Sequence, residues 1–267
     1  MANASPTALL TSVEPNSITA IKTRIAKHRV PWTGPLLLIL VRSTLWMTAQ
    51  SLVALLFVLQ HRPNPWRQAC YWWSVCFTLA DVGCILGMRF FLKREGLRLR
   101  DLLGPIRLRF GRDLFLGIFY FLLFSPGFVL GGYVGQKLLY GTGLNPSGFI
   151  LHAHALPLWA TLYSLVIFWP INSVFEEMTY QGYVLPRLEA LTGRFWIAFA
   201  AVTFWWTAQH CVIGFVPDLR SNLCRFIGFF PGVAILVLIY ARTRRLAPLI
   251  VGHWIIDLSA VLITAIY

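Results

Sequence analysis

Seven long apolar runs restrict this chain to very few folds. They lie near residues 35–60, 69–92, 114–135, 157–180, 195–215, 224–241 and 247–267. Each approaches or exceeds the roughly 20 residues that a helix needs to cross a bilayer. Because lipid offers the backbone no hydrogen-bond partner, and because no run alternates like a barrel strand, the runs predict helices. We therefore expect an all-α fold, a polytopic transmembrane helix bundle of about seven spans.

The distribution of charge supports a membrane protein and predicts its orientation. Only 12% of the residues are charged, whereas soluble domains carry about 25%. The net charge of +13 does not indicate a nucleic-acid partner, because Lys and Arg lie between the apolar runs and meet lipid headgroups there. If the N-terminus lies inside, 16 of the 23 Lys and Arg residues lie in cytoplasmic segments and five in external segments. The positive-inside rule then places the N-terminus inside and the C-terminus outside.

The N-terminal region differs from the rest of the chain. Residues 1–33 are polar and lack the apolar core of a signal peptide, which predicts a cytoplasmic tail. Within the tail, Ile18, Ile21 and Ile25 recur at helical spacing opposite basic residues. That pattern predicts a basic amphipathic helix on the membrane surface, with a disordered tail as the alternative. Residues 34–267 are expected to form one transmembrane bundle.

Three of the apolar runs carry ionisable groups that a lipid-facing helix would avoid. Glu176 and Glu177 end the fourth run, His210 lies in the fifth, and His253 and Asp257 lie in the seventh. Ionisable groups within a membrane are expensive and by default mark function. The fourth helix is expected to extend towards residue 189, with a kink at the proline of position 170 that frees backbone groups near the site.

Helical spacing indicates which of these side chains meet. His253 and Asp257 lie one turn apart on one face, as do Glu176 and Tyr180, and Glu177 and Gln181. Adjacent Glu176 and Glu177 point about 100° apart. We therefore expect one of the two carboxylates to face the reaction centre and the other to hold a structural partner.

The three segments resemble, in order, the signature of the CPBP family. That family includes CAAX prenyl endopeptidases and bacteriocin-processing or immunity membrane proteins of the Abi type. Its pattern is Glu-Glu-x-x-x-Arg, Phe-x-x-x-His and His-x-x-x-Asn/Asp, which corresponds here to residues 176–181, 206–210 and 253–257. The resemblance covers about 157–260, the expected catalytic core, and sets the motifs on the fourth, fifth and seventh spans.

Two positions depart from the family pattern. Trp206 replaces the usual Phe, an exchange of aromatic side chains that we expect to change little. Gln181 replaces the usual Arg, and we expect its amide to donate a neutral hydrogen bond to Glu177 in place of the cation. Arg42 of the first span is a second candidate partner for that carboxylate, although a pair between Arg42 and Asp81 is favoured.

The resemblance implies an intramembrane endopeptidase, a hydrolase of the CAAX-protease type. Its substrate would be a prenylated C-terminal peptide, a peptide precursor or a membrane protein. The family's roles make Glu176 the general base, let His210 position the attacking water, and give the oxyanion to His253 and residue 257. Burial in a pocket of low dielectric would make Glu176 a stronger base. Tyr180, Trp206, Glu177 and Gln181 would support these groups.

One feature of this assignment is chemically incomplete. An ionised Asp257 has no proton to donate to an oxyanion. Either Asp257 orients His253, whose imidazolium then acts alone, or Glu176, His210, His253 and Asp257 bind a divalent metal ion. The version without a metal or other cofactor is the expected one.

The depths of the two histidines also differ. His253 lies about 9 Å and His210 about 22 Å from the cytoplasmic start of its span. For the two to meet, the fifth helix has to start later than Arg194, or tilt, or begin in a re-entrant segment.

Two other classes of function fit the same residues. A non-catalytic immunity or scaffold protein would retain the bundle with a degenerate motif, as Gln181 suggests. A small transporter would use intramembrane Glu, His and Asp as a proton relay, but the chain lacks repeated halves with matching broken helices. Other intramembrane proteases fit less well, because the chain has no His-Glu-x-x-His, Gly-x-Ser-Gly or Gly-x-Gly-Asp motif.

Overall fold

The computed structural model describes residues 14–104, 110–141 and 156–266, and in these ranges the chain is helical and contains no strand. We number its helices α1 (Ile18–Ala26), α2 (Thr33–Leu59), α3 (Pro65–Cys70), α4 (Trp73–Glu95), α5 (Arg100–Leu103), α6 (Phe110–Tyr140), α7 (Leu158–Thr192), α8 (Phe195–Val212), α9 (Leu219–Thr243) and α10 (Leu246–Ile266). Seven of these are long and correspond one for one to the seven apolar runs. The all-α bundle predicted from the sequence is confirmed, and the three motifs lie on its fourth, fifth and seventh long helices.

The outer surface of the bundle is apolar, as lipid requires. Leu37 of α2, Phe115 of α6 and Val129 of α6 expose 57%, 71% and 73% of their surface. By length and hydropathy α2, α4, α6, α7 and α9 are each able to cross a membrane, and α10 contains a shorter apolar helix. Helix α8 has 18 residues and carries Gln209 and His210 near its end. The protein is therefore an integral membrane protein.

Helix α7 is unusually long and contains two widened turns. Its 35 residues span about 50 Å at 1.5 Å per residue, well beyond a hydrocarbon core of about 30 Å. The predicted extension towards residue 189 is thus confirmed. π-helical turns cover Ser164–Phe168, just before Pro170, and Met178–Val184, just after Glu177. Such turns are rare and frequently mark functional sites.

Helices α6 and α9 approach each other closely along a row of glycines. A Cβ atom at Gly131 would lie 2.5 Å from the carbonyl oxygen of Gly228, and one at Gly127 would lie 2.9 Å from the nitrogen of Gly232. Small residues let helix backbones pack at this distance in membranes. This contact builds one wall of the cavity described below.

Helix α1 packs against protein. The helix expected at Ile18, Ile21 and Ile25 forms, but Ile21 is buried against Val30 and Ala190 of α7. The expectation that its apolar face lies on the membrane surface is therefore wrong, and so is disorder for residues 18–26. Residues 1–13 of the predicted tail lie outside the described part of the chain.

Polar contacts explain why α1 stays on the protein. Arg24 of α1 donates to Glu95 of α4 at 3.1 Å, and Arg187 of α7 holds the same carboxylate through two bonds of 2.7 and 2.8 Å. Asn16 donates to the carbonyl oxygen of Gly182 at 2.8 Å, within the second widened turn. The N-terminal segment is thus attached to the same helix that carries Glu176.

Candidate active site

A cavity of about 410 Å³ lies among α4, α6, α7, α8, α9 and α10. Its wall contains all four residues expected to be catalytic: Glu176, His210, His253 and Asp257. Most of the remaining wall is apolar, as in many binding sites for small molecules and peptides. Three sequence motifs spread over residues 176–257 therefore meet at one cavity.

Four donors from three helices surround the Glu176 carboxylate. Its Oε1 accepts from Trp206 Nε1 at 2.5 Å and from Gln209 Nε2 at 2.7 Å. Its Oε2 accepts from Asn172 Nδ2 at 3.3 Å and from Arg42 Nη2 at 3.4 Å. Each donor stabilises the ionised carboxylate. These bonds therefore work against the effect of burial, which alone would make Glu176 a stronger base. The two oxygens differ, because the contacts to Oε1 are short and those to Oε2 are long.

Trp206 has a role that its size and apolarity did not indicate. Its ring stacks on Tyr180 with centroids 5.1 Å apart, and its indole N–H donates to Glu176. A phenylalanine would keep the stacking and lose the donor. The expectation that Trp in place of Phe changes little is therefore wrong for the hydrogen bonding of Glu176.

Tyr180 supports Glu176 through an amide. Its hydroxyl donates to Gln209 Oε1 at 2.7 Å, and the other end of the same amide donates to Glu176. Sequence reasoning missed Gln209, although it lies three residues after Trp206 and so shares its face of α8.

Asn172 was also missed, and it joins the two ends of the site. Its Nδ2 donates to both Glu176 and Asp257, to the latter at 2.9 Å, while its Oδ1 accepts from Arg42. Ser173 donates to the same oxygen of Asp257 at 2.6 Å. Both residues lie about one turn before Glu176, the spacing that would have identified them.

His253 lies between two carboxylates. Its Nδ1 is 3.0 Å from Glu177 Oε1, and its Nε2 is 3.5 Å from Asp257 Oδ1. An imidazolium donates to both, whereas a neutral ring donates to only one of them. The longer contact, to Asp257, is at the limit of a hydrogen bond. Glu177, the second carboxylate of the motif, thus faces a residue of the site.

The partner expected for Glu177 needs correction, whereas the pair favoured for Arg42 is confirmed. Both polar atoms of the fully buried Gln181 and the Oε2 atom of Glu177 make no hydrogen bond within the described residues. The expected bond from Gln181 to Glu177 is therefore wrong. Arg42 instead donates to Asp81 at 2.7 Å, the favoured pair, and also to Glu176. Its place on the first long helix brings that helix into the site.

His210 lies one turn farther along α8 than Trp206. Its Nδ1 donates to the carbonyl oxygen of Trp206 at 2.9 Å, and its ring stacks on Phe229 with centroids 4.0 Å apart. A ring that donates from Nδ1 keeps Nε2 as its acceptor. Helix α8 begins at Phe195, directly after Arg194, so its start does not remove the difference in depth between the two histidines. The ring centroids of Trp206 and His253 lie 6.2 Å apart. His210 and His253 lie at different depths but line the same cavity.

The four predicted residues do not make a compact ligand set. Glu176 is engaged by four protein donors, and His210 Nδ1 by a main-chain carbonyl. Within the described residues, no group of three or more His, Cys, Asp and Glu side chains is arranged to hold a metal ion. The divalent metal that the sequence left as an alternative stays a prediction, to be tested by experiment.

Comparison with known proteins finds a family model that matches the segment carrying the site. Residues 157–259 match the model of the family described as Type II CAAX prenyl endopeptidase Rce1-like. The resemblance found in the sequence motifs is therefore confirmed over the segment that contains all three. Neither a curated protein nor a solved structure matches the chain.

Proposed function

From the premise that residues 157–259 carry an Rce1-like domain, we propose that this membrane protein is an endopeptidase that hydrolyses a peptide bond within the bilayer. The observation that supports this most is the single cavity lined by Glu176, His210, His253 and Asp257. The substrate would be a membrane-associated peptide: a prenylated C-terminal peptide, a peptide precursor or a membrane protein. The protein would lie in a bacterial inner membrane, with its N-terminus in the cytoplasm.

The proposed first step is the attack of water on the peptide carbonyl carbon. His210 Nε2 accepts a hydrogen bond from the water and so positions it. Glu176 Oε2 takes the proton, because its two contacts are longer than those that hold Oε1. The water oxygen then bonds to the carbonyl carbon, and negative charge develops on the carbonyl oxygen.

The proposed second step breaks the carbon–nitrogen bond. As imidazolium, His253 donates from Nε2 to the oxyanion, since its contact with Asp257 is long and that with Glu177 is short. Glu176 returns the proton to the leaving amine, and the products are a carboxylic acid and an amine. Asn172 would act as a positioning residue that fixes Glu176 and Asp257 relative to each other.

The test compares wild type with Glu176→Gln, which keeps the size of the side chain. Membrane peptides from the two cell lines are compared by mass spectrometry, and a peptide that accumulates only in the variant identifies the substrate. The matched control is Glu189→Gln, because Glu189 forms a more exposed pair with Arg244 outside the cavity. Identical peptide profiles in all three lines, with equal protein levels, would contradict the proposal.

Two further variants separate the proposed roles. Asp257→Asn keeps activity if residue 257 has to donate a hydrogen bond near the oxyanion. It loses activity if the carboxylate is required. Treatment with a chelator tests the alternative with a metal, since loss of activity that added divalent metal restores would overturn the metal-free mechanism.

A non-catalytic immunity or scaffold protein is the second candidate. Two observations favour it, because both weaken the hydrolytic motif: the buried Gln181 has no hydrogen-bond partner in the described part of the chain, and four donors already engage the Glu176 carboxylate. A cellular phenotype that Glu176→Gln leaves intact would support this candidate.

A further inference from the structure

A second concavity opens at the outer surface of the bundle, where α6 meets α9. Its volume is about 300 Å³. One lining residue comes from α6 and the others come from the C-terminal part of α9: Tyr120, Ile235, Leu238, Ile239, Arg242 and Thr243. We call this feature the α6–α9 groove. None of its six residues lines the cavity of the candidate active site, so the groove needs an explanation of its own.

The register of the two helices shows how the groove is arranged. The close contacts between α6 and α9 run antiparallel and place Gly127 against Gly232. Tyr120, seven residues before the first of these, therefore lies opposite Ile239, seven residues after the second. Arg242 lies about 4.5 Å farther along α9, towards the end of the helix. The groove thus has an apolar part and one charged end.

The charge at this end is not neutralised by the described part of the protein. Three arginines lie near the end of α9, and two of them have acidic partners. Arg244 donates to Glu189 at 2.6 Å, and Arg245 donates to Asp113. Arg242 is exposed, and its guanidinium makes no hydrogen bond or ion pair with the described residues. The arginine that lines the groove is therefore the one left for an external anion.

The charged end lies at the depth expected for lipid headgroups. Arg242 is 23 residues after Leu219, the first residue of α9, which corresponds to about 35 Å along the helix. A hydrocarbon core is about 30 Å thick, so α9 brings this guanidinium to the bilayer surface. Ile239 and Ile235 lie about 5 and 10 Å deeper, level with acyl chains. In the proposed orientation this surface is cytoplasmic, where anionic lipids create a negative potential.

We propose that the α6–α9 groove binds an anionic phospholipid, with its phosphate on Arg242 and one acyl chain along the apolar part. A guanidinium matches a phosphate through two parallel hydrogen bonds. Basic pockets between transmembrane helices hold anionic headgroups in this way. The proposal does not depend on the proposed hydrolysis, because the groove and the candidate active site share no residue.

The test measures lipid binding by the full-length protein, purified in a neutral detergent. The probes are phosphatidylglycerol and phosphatidylcholine with the same fluorescent acyl chain, so that the headgroup alone differs. We expect phosphatidylglycerol to bind about five- to tenfold more tightly, the effect of one cation at a membrane surface. Arg242→Gln should bring the two affinities together, whereas Arg242→Lys should keep part of the preference.

The matched control for the charge is Arg89→Gln. Arg89 is likewise an exposed arginine of a long apolar helix, but it belongs to α4 and does not line the groove. We expect this variant to keep the full preference for phosphatidylglycerol. Leu238→Trp tests the acyl chain, because a larger side chain at this half-buried position would fill the apolar part. It should weaken the binding of both lipids, and unchanged affinities would contradict the proposed position of the chain.

Three further results would overturn the proposal. Equal affinity of the wild type for the two lipids would exclude recognition of the phosphate charge by the groove. A preference that survives Arg242→Gln at unchanged thermal stability, or that falls equally in Arg89→Gln, would assign it to the overall positive charge of the surface. A wild type that is dimeric by light scattering and binds neither lipid would assign the groove to a second copy of the chain.

Discussion

At the scale of the residue, the site depends on donors that surround a single carboxylate. Glu176 is held by Arg42, Asn172, Trp206 and Gln209, and only one of these donors is charged. Helical spacing predicted which motif residues share a face. It did not predict that the indole of Trp206 donates, because the family pattern presents this position as an apolar aromatic. The hydrogen-bonding capacity of each side chain therefore matters more here than its size.

Trp206→Phe should lower kcat/KM about tenfold, because it removes one hydrogen bond to a charged group while it keeps the aromatic ring. Cleavage of the substrate identified by mass spectrometry provides the measurement. Trp205→Phe is the control, since Trp205 is the adjacent residue and is 39% exposed. Equal activity of the two variants would show that the indole donor does not contribute.

Two buried glutamines should respond in opposite ways to the same change. Gln181 has no hydrogen-bond partner within the described residues, so Gln181→Met removes an unsatisfied amide and should leave stability unchanged or raise it by about 1 kcal/mol. Gln209 is bonded at both ends, so Gln209→Met should cost about 1–3 kcal/mol and reduce activity. Thermal unfolding in detergent compares them. A loss of stability in Gln181→Met as large as that in Gln209→Met would contradict the absence of partners for Gln181.

At the scale of the element, α7 combines two widened turns with a tether that lies beyond the segment carrying Glu176. The second turn, Met178–Val184, begins directly after Glu177, and its carbonyl groups at Gly182 and Tyr183 accept from Asn16 and Arg187. Backbone groups that a regular helix would satisfy internally are satisfied here by side chains. The wide turn is thus supported by α1 and by the extension of α7.

Arg187→Lys should destabilise this tether by about 2 kcal/mol, because a lysine cannot reproduce the two parallel bonds to the buried Glu95. Limited proteolysis between α1 and α2 should then become faster, as α1 detaches more often. Arg194→Lys provides the control, because Arg194 is exposed and carries no ion pair within the described chain. Equal rates of cleavage in the two variants would contradict the tether.

At the scale of the whole molecule, α6 and α9 pack closely through their glycines, and residues of both helices line the cavity. Most of this architecture could be predicted, since lipid leaves helices as the solution for seven apolar runs. The meeting of Glu176, His210, His253 and Asp257 at one cavity also followed from their motifs. The partners of Glu177 and the surface on which α1 lies could not be predicted, because both depend on which helices become neighbours.

Gly131→Ala should destabilise the bundle by more than about 1 kcal/mol and reduce activity, because its Cβ would lie 2.5 Å from the Gly228 carbonyl oxygen. Gly132→Ala should be neutral or stabilising by up to about 1 kcal/mol, since its Cβ would meet nothing within 4 Å. Thermal unfolding of the two neighbouring variants separates close packing from helix propensity. Similar melting temperatures would show that α6 and α9 have room to separate.

The origin of the donors to Glu176 has a consequence for biosynthesis. They come from α2, α7 and α8, and the histidine and aspartate opposite them come from α10. A ribosome therefore delivers the first donor, Arg42, long before it delivers His253. While the nascent chain is still entering the bilayer, no subset of its inserted helices carries a complete site. The proposed hydrolase, assembled in this order, would stay inert towards its neighbours in the membrane until its own insertion is nearly finished.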